Sequence, residues 1–130
     1  MGEQRLRPLE RLRHQREYQH VLQYGTKQVA PAFVLYVLPR AASCSRLGIA
    51  VSRRVGSAVV RNRVKRRARE CFRQHKAELG SPCDIVVVAR QAAVEMSHSE
   101  YTRQFLTLLR RCQRLQGRGP IPVRAEEKQE

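Results

Sequence analysis

Few side chains in this chain can make or break bonds. Asp84 is the only aspartate, and the ten glutamates are scattered, four of them (Glu3, Glu126, Glu127 and Glu130) close to the ends. A nuclease that works through two protein-held metal ions needs several carboxylates converging on ions about 3.5–4 Å apart. Glu70, Glu78, Asp84, Glu95 and Glu100 do not make such a cluster by their spacing. No catalytic residue and no metal ligand is therefore assigned, and any metal ions used in phosphodiester chemistry must be held by another molecule. Cys44, Cys71, Cys83 and Cys112 are separated by 27, 12 and 29 residues. Structural zinc sites usually pair ligands about two to four residues apart, so the four read as reduced thiols, several of them half-buried. His14, His20, His75 and His98 are dispersed among polar residues and read as surface imidazoles.

The chemistry this sequence favours is the binding of negative charge. Residues 61–73, RNRVKRRARECFR, contain seven Arg or Lys and one acid, Glu70. Placed about 100° apart around a helix axis, Val60, Val64, Ala68, Cys71 and Phe72 form one face. Arg61, Asn62, Lys65, Arg66, Arg69 and Arg73 fill an adjacent arc of roughly 140°, with Arg63 and Arg67 on the remaining side. A charged helix face is commonly only solvated. Such faces mix signs, however, because like charges at i, i+4 repel, and Arg61, Lys65 and Arg69 form a like-charge series. Phosphates would relieve that repulsion, and arginine adds forked hydrogen bonding and base stacking. The pattern points to nucleic acid. The seven aromatics are Tyr18, Tyr24, Phe33, Tyr36, Phe72, Tyr101 and Phe105. The three phenylalanines read as core; on composition Tyr18 and Tyr36 lean the same way, with base stacking as the alternative.

The elements that must carry this face follow from periodicity. Residues 1–11 are polar and basic, and are expected to be loosely ordered. Leu12, Tyr18, Val21, Leu22 and Tyr24 predict a helix stopped by Gly25. Ala32–Leu38, closed by Pro39, predicts a strand, and Arg46–Val55 a second, with Leu47, Ile49 and Val51 on one face. Ser57 is a suitable N-cap for a helix from Ala58 to about Leu79, ended by Gly80-Ser81-Pro82. The apolar run Asp84–Ala89 predicts a strand buried on both faces. Ser97–Glu100 fits a capping box opening a last helix through Tyr101, Phe105, Leu108, Leu109 and Cys112. Residues 117–130 lack periodicity and are expected to form a mobile tail. Strand–helix–strand between Arg46 and Arg90 suits a parallel pair, so the fold class is α+β in one domain.

Composition agrees. The 130 residues carry 26 Lys and Arg, 22 of them Arg, against 11 acids, for a formal charge of +15. At 42% hydrophobic the chain can fold, unlike a disordered basic tail. No apolar run approaches the roughly 18–20 residues that span a bilayer, and MGEQRLRPLERLRHQ lacks a signal-peptide core.

The stretch RLGIAVSRRVGSAVVRNRVKRRARECFR (Arg46–Arg73), followed by DIVVVAR (Asp84–Arg90), resembles the protein subunit of bacterial ribonuclease P. The Arg61-Asn62-Arg63 triplet with Lys65, Arg66 and Arg69 is similar to that family's signature. REYQHVLQYGT and FVLYVL match its first helix and second strand. The resemblance implies a single-domain α/β sandwich over residues 1–116, in the order α-β-β-β-α-β-α. It also implies a left-handed βαβ crossover, against the ordinary right-handed rule. It implies a ribonucleoprotein endonuclease of the bacterial cytoplasm that removes the 5′ leader of precursor tRNA. In such an enzyme the catalytic Mg2+ is held mainly by the RNA subunit. The implied partners are that RNA and precursor tRNA, with no membrane and no obligate protein partner. Carried over residue by residue, Arg61, Asn62, Arg63, Lys65, Arg66 and Arg69 are expected to face the RNA subunit or to lie near the cleavage region. Tyr18, Leu22, Tyr36, Arg53 and Arg90 line the leader cleft, which makes Tyr18 and Tyr36 exposed stacking platforms. Leu22 stands where an aromatic is common, and Ser52-Arg53-Arg54 where a lysine-rich run is common. The alternatives are a structural RNA-binding protein, such as a small ribosomal protein, and a DNA-binding regulator. Against the latter, arginine throughout the helix suits phosphates better than base edges.

Overall fold

The computed structural model describes residues 6–116. The elements run α1 (Gln15–Tyr24), β1 (Thr26–Val29), β2 (Phe33–Pro39), β3 (Arg46–Ala50), α2 (Ala58–His75), β4 (Cys83–Ala89) and α3 (His98–Leu115), with short 3-10 turns between some of them. This is the α+β order expected. The four strands form one sheet in the order β1-β2-β4-β3. β2 pairs antiparallel with β1 and β4, whereas β3 and β4, joined by α2, run parallel.

Because side chains alternate along a strand, the sheet sorts them onto two faces. Phe33, Leu35, Val37, Leu47, Ile85 and Val87 point into the main core. They meet Val64, Ala68, Cys71 and Phe72 of α2 and Tyr101, Phe105, Leu108, Leu109 and Cys112 of α3. Each Val, Leu, Ile or Phe side chain fully buried there contributes about 1.5–3 kcal/mol relative to exposure. The other face is covered by α1 and the segment just ahead of it, through a smaller cluster of Leu12, Val21, Leu38 and Val86. β4 lies between β2 and β3 under both layers, so Cys83 to Val87 are all buried, as a continuous apolar run requires.

Polar contacts fix α1 in place. Arg46 on β3 donates Nε and Nη2 to the two carboxylate oxygens of Asp84, each at 2.8 Å, and Nη1 to Glu17 of α1 at 3.1 Å. Arg40 lies 3.4 Å from the same aspartate. Glu17 also accepts the backbone N–H groups of Arg13 and His14, at 2.8 and 3.1 Å, closing the start of the helix. At Gly48 a Cβ would sit 2.7 Å from the Tyr18 ring, so glycine there permits the helix to lie close on the sheet.

Several expectations are corrected. Leu12 is buried ahead of α1 rather than on it, and its N–H bonds to the Leu47 carbonyl at 3.0 Å. Within residues 6–11, Arg7, Pro8, Leu9 and Arg11 are exposed, but two side chains are anchored. Leu6 is buried, Glu10 is buried and paired with Lys76, and Arg11 bridges Leu47 on the edge of β3. β3 ends at Ala50 rather than Val55, because Ser52 Oγ accepts the Arg54 N–H and turns Arg53–Val55 into a 3-10 turn. α2 ends at His75, followed by a turn at Lys76–Glu78, before Gly80 is reached. β1, with the polar sequence TKQV, has no strand signal of its own. Ser97 does cap α3 by accepting the Glu100 N–H at 3.1 Å, but the Glu100 carboxylate turns to Arg103 and Gln104 instead of closing a box. The tail expected over 117–130, like residues 1–5, lies outside the described residues.

Candidate nucleic-acid interface

α2 presents the cations because its other face is committed to the core. Ser57 Oγ accepts the Val60 N–H at 3.3 Å and starts the helix. Val64, Ala68, Cys71 and Phe72 are then buried in register, leaving Asn62, Arg63 and Arg66 exposed and Arg61, Lys65 and Arg69 half-buried. Arg61 spends one Nη1 hydrogen on the Gly56 carbonyl, 3.1 Å away. For Arg69, burial, then the neighbouring Arg11 and Arg66 guanidiniums, lower the pKa from its ordinary value. These are costs a fold accepts where an anion offsets them.

Arg67 is the exception on this helix. Its Nη1 donates to the carbonyls of Ala93 and Met96, at 3.1 and 2.8 Å, and its guanidinium lies 5.5 Å from the Tyr101 ring centre. It holds the turn ahead of α3 and is a structural arginine, a role that no charge pattern distinguishes from RNA contact.

The second surface is the part of the sheet that α1 leaves open. The pairing register lines up Lys27, Tyr36, Val86 and Gly48 across the four strands, and beside them Val29, Val34, Val88 and Ala50. Val86 is buried under α1 and Tyr36 is half-buried, while Val29 is exposed. The Lys27 ammonium stands 5.9 Å from the Tyr36 ring centre. Leu22, 40% exposed, follows Tyr18 by one helical turn on α1. Arg53 and Arg90 are both exposed and follow the carboxyl ends of the parallel strands β3 and β4, so they share one end of the sheet. The Arg90 N–H bonds to Ala32 O at 2.9 Å and its Nη1 reaches Ala30 O at 3.2 Å.

Tyr18 differs from the platform expected. Its ring packs on Gly48 and its hydroxyl accepts the Ile49 N–H at 3.2 Å. It therefore closes the edge of β3 as well as facing outward. Lys27 and Arg11 are exposed beside these surfaces, and Gly48 lies beneath the Tyr18 ring; only the glycine inside a strand carried a signal of close approach.

The residues present do not fit a metal site. Among the described residues no three His, Cys, Asp or Glu come together, and Asp84 is taken up by Arg46 and Arg40. All four cysteines are free, three of them buried. Burial pushes the Cys83 and Cys112 thiols up to about 12, which leaves them protonated and poor ligands. No helix among the described residues is long and apolar enough to cross a membrane.

Known proteins resemble this chain in sequence and in fold. The family model described as Ribonuclease P matches residues 6–113. The ribonuclease P protein component of Geobacillus kaustophilus is 39% identical over 102 residues, covering 78% of this chain and 84% of that protein. The component from Desulfovibrio desulfuricans is 43% identical over 108 residues, covering 80% and 83%. The structure of the RNase P protein from Thermotoga maritima superposes with a TM-score of 0.71 at 33% identity, covering 78% of this chain and 96% of that one.

Proposed function

The chain belongs to the ribonuclease P protein family, and from that premise we propose how its two surfaces divide the work of the enzyme. As the protein subunit of a tRNA-processing endoribonuclease it is an RNA-binding protein, and the reading as a structural ribosomal protein is set aside. The cationic arc of α2, with Arg61, Asn62, Arg63, Lys65, Arg66 and Arg69, docks on the RNA subunit. The open part of the sheet takes the single-stranded 5′ leader of precursor tRNA in the cytoplasm. One observation carries the second assignment. α1 covers only part of its face, leaving Tyr36 and an apolar row beside Arg53 and Arg90. Aromatic and apolar floors with cationic rims suit unpaired nucleotides.

Mg2+ belongs, on this reading, to the RNA subunit. Among the described residues the carboxylates are dispersed or held by basic side chains, so the protein is assigned binding and orientation, and the hydrolytic step is assigned to the RNA.

Reconstitution tests the assignment. At low Mg2+, precursor tRNA is offered to this protein, to a bacterial ribonuclease P RNA and to both, and cleavage at the mature 5′ end is expected with both. In the reconstituted enzyme, Tyr36→Ala should weaken precursor tRNA by about 1–3 kcal/mol, the value of one stacked base, and leave mature tRNA unchanged. Equal losses for the two tRNAs would remove the leader from this face.

A further inference from the structure

Between the two surfaces lies a groove of about 160 Å3 lined by Leu6, Arg11, Leu12, Tyr18, Leu47, Ile49, Lys65 and Arg69. Three cations from two separate parts of the chain meet there, and no carboxylate lines it. Of the acids beside these segments, Glu10 pairs with Lys76 and Glu17 with Arg46, and Glu70, next to Arg69 in the sequence, does not line the groove. Among the described residues, the side chains of Arg11, Lys65 and Arg69 form no ion pair with an acid. The Arg69 guanidinium is partly desolvated beside Arg11.

The backbone sets this cluster in advance. Arg11 is held against the edge of β3 by its bridge to Leu47, and the Leu12 N–H is bonded to the Leu47 carbonyl. These bonds fix where the Arg11 side chain departs, whatever that side chain is. Tyr18 adds a neutral donor. Its oxygen accepts the Ile49 N–H, so its own O–H hydrogen remains for an acceptor in the groove.

We infer that Arg11, Lys65, Arg69 and the Tyr18 hydroxyl together bind one phosphate group of an RNA strand at the junction of the α2 face and the leader cleft. Converging cations with a fixed hydroxyl donor suit a tetrahedral anion, which accepts several charge-assisted bonds at once. The inference rests on the reading of α2 as an RNA-binding face and extends it. Tyr18 then acts through its hydroxyl, and the N-terminal segment becomes part of the RNA-binding surface through Arg11.

Two sources could supply the phosphate, the RNA subunit or the leader, and two assays separate them. The first is affinity for a bacterial ribonuclease P RNA over a salt series; the second is affinity of the assembled enzyme for precursor and mature tRNA. Arg11→Ala, Tyr18→Phe and Arg66→Ala are compared with the parent in both. Arg11→Ala should lose one cationic contact, reducing the log–log salt slope by about 0.7–0.9. Tyr18→Phe should lower affinity about tenfold, as for one hydrogen bond to a charged group, without changing the slope. Losses in the first assay assign the phosphate to the RNA subunit; losses confined to precursor tRNA assign it to the leader. Thermal unfolding of Tyr18→Phe checks for damage from the lost Ile49 partner, and Arg11→Ala, whose backbone bonds persist, is free of that concern. If Arg66→Ala weakens RNA binding and Arg11→Ala leaves both assays unchanged, the groove is empty and the α2 reading stands. If neither weakens either interaction, both readings fall.

Discussion

Arg67 and Arg66 are adjacent arginines on one helix, and the structure gives them opposite work. Arg67 donates to the carbonyls of Ala93 and Met96 and lies over Tyr101, whereas Arg66 is exposed. Removing Arg67 leaves two carbonyls of a turn without their donor and uncovers an aromatic ring. Arg67→Ala should therefore cost about 2 kcal/mol of folding stability. Arg66→Ala should stay within about 0.5 kcal/mol of the parent in urea unfolding, as surface changes usually do. The same pair should reverse in RNA binding: Arg66→Ala loses affinity and flattens the salt dependence, while folded Arg67→Ala keeps both. Equal unfolding midpoints for the two variants would overturn the assignment. Composition could not separate these neighbours. Their difference arises from where the 93–96 turn lies, 26 and 29 residues away along the chain. For the same reason Tyr18 was legible as part of the first-helix surface but not as a hydroxyl bonded to β3. Arg11 was hidden in a segment whose polar sequence reads as loose.

α1 is attached to the sheet by few apolar side chains, so the ion pairs of α1 and of the segment ahead of it matter more than they would on a fully buried helix. Hydrogen bonds from the Arg13 and His14 N–H groups, aided by the charge of Arg46, hold the Glu17 carboxyl below its ordinary value. For Glu10, burial works in the opposite direction, and the Lys76 and Arg7 contacts outweigh it. A carboxyl depressed in the folded state adds stability above its unfolded pKa of about 4.3 and loses it as pH falls through the folded pKa. Unfolding free energy should thus decline as pH drops below about 4.5, and Glu17→Gln should be less stable at neutral pH with a shallower acid decline. Urea unfolding between about pH 3 and 7 measures this; an identical decline in parent and variant would show that Glu17 does not hold the helix. The elements themselves were readable wherever one face was strongly apolar. β2, β4, α2 and α3 follow from the runs and spacings of Phe33–Leu38, Asp84–Ala89, Val64–Phe72 and Tyr101–Cys112. β1 was not, since TKQV is an edge strand that exists because β2 offers it a partner. The early ends of β3 and α2 were set by local turns at Ser52 and Lys76 rather than by the glycines and proline downstream.

A chain with a formal charge of +15 repels itself when folded and again along each cationic face. The exposed pairs Arg103–Glu100 and Arg110–Glu78 offset little of this, since such pairs contribute about 0–1 kcal/mol each. Screening therefore acts in opposite directions on the two properties of the molecule. Folding brings like charges together, so added salt relieves it; RNA binding releases counterions, so added salt opposes it. Between about 20 and 200 mM sodium chloride the Debye length falls from about 20 Å to below 10 Å. Over that range the urea midpoint of the free protein should rise. Its affinity for the RNA subunit should fall by about ten-thousandfold or more if six phosphates are contacted. Chloride is the appropriate salt, because sulfate would stabilise by exclusion from the surface and could also occupy anion sites. At low salt the RNA should itself raise the unfolding midpoint, by the logarithm of its concentration over Kd. That increment should shrink as chloride is added, even while the free protein becomes more stable. A midpoint for the free protein that fell with salt would mean that ion pairs such as Arg46–Asp84 outweigh the repulsion. The cationic face would then need no anion to offset it, and the energetic argument for its RNA contact would fail.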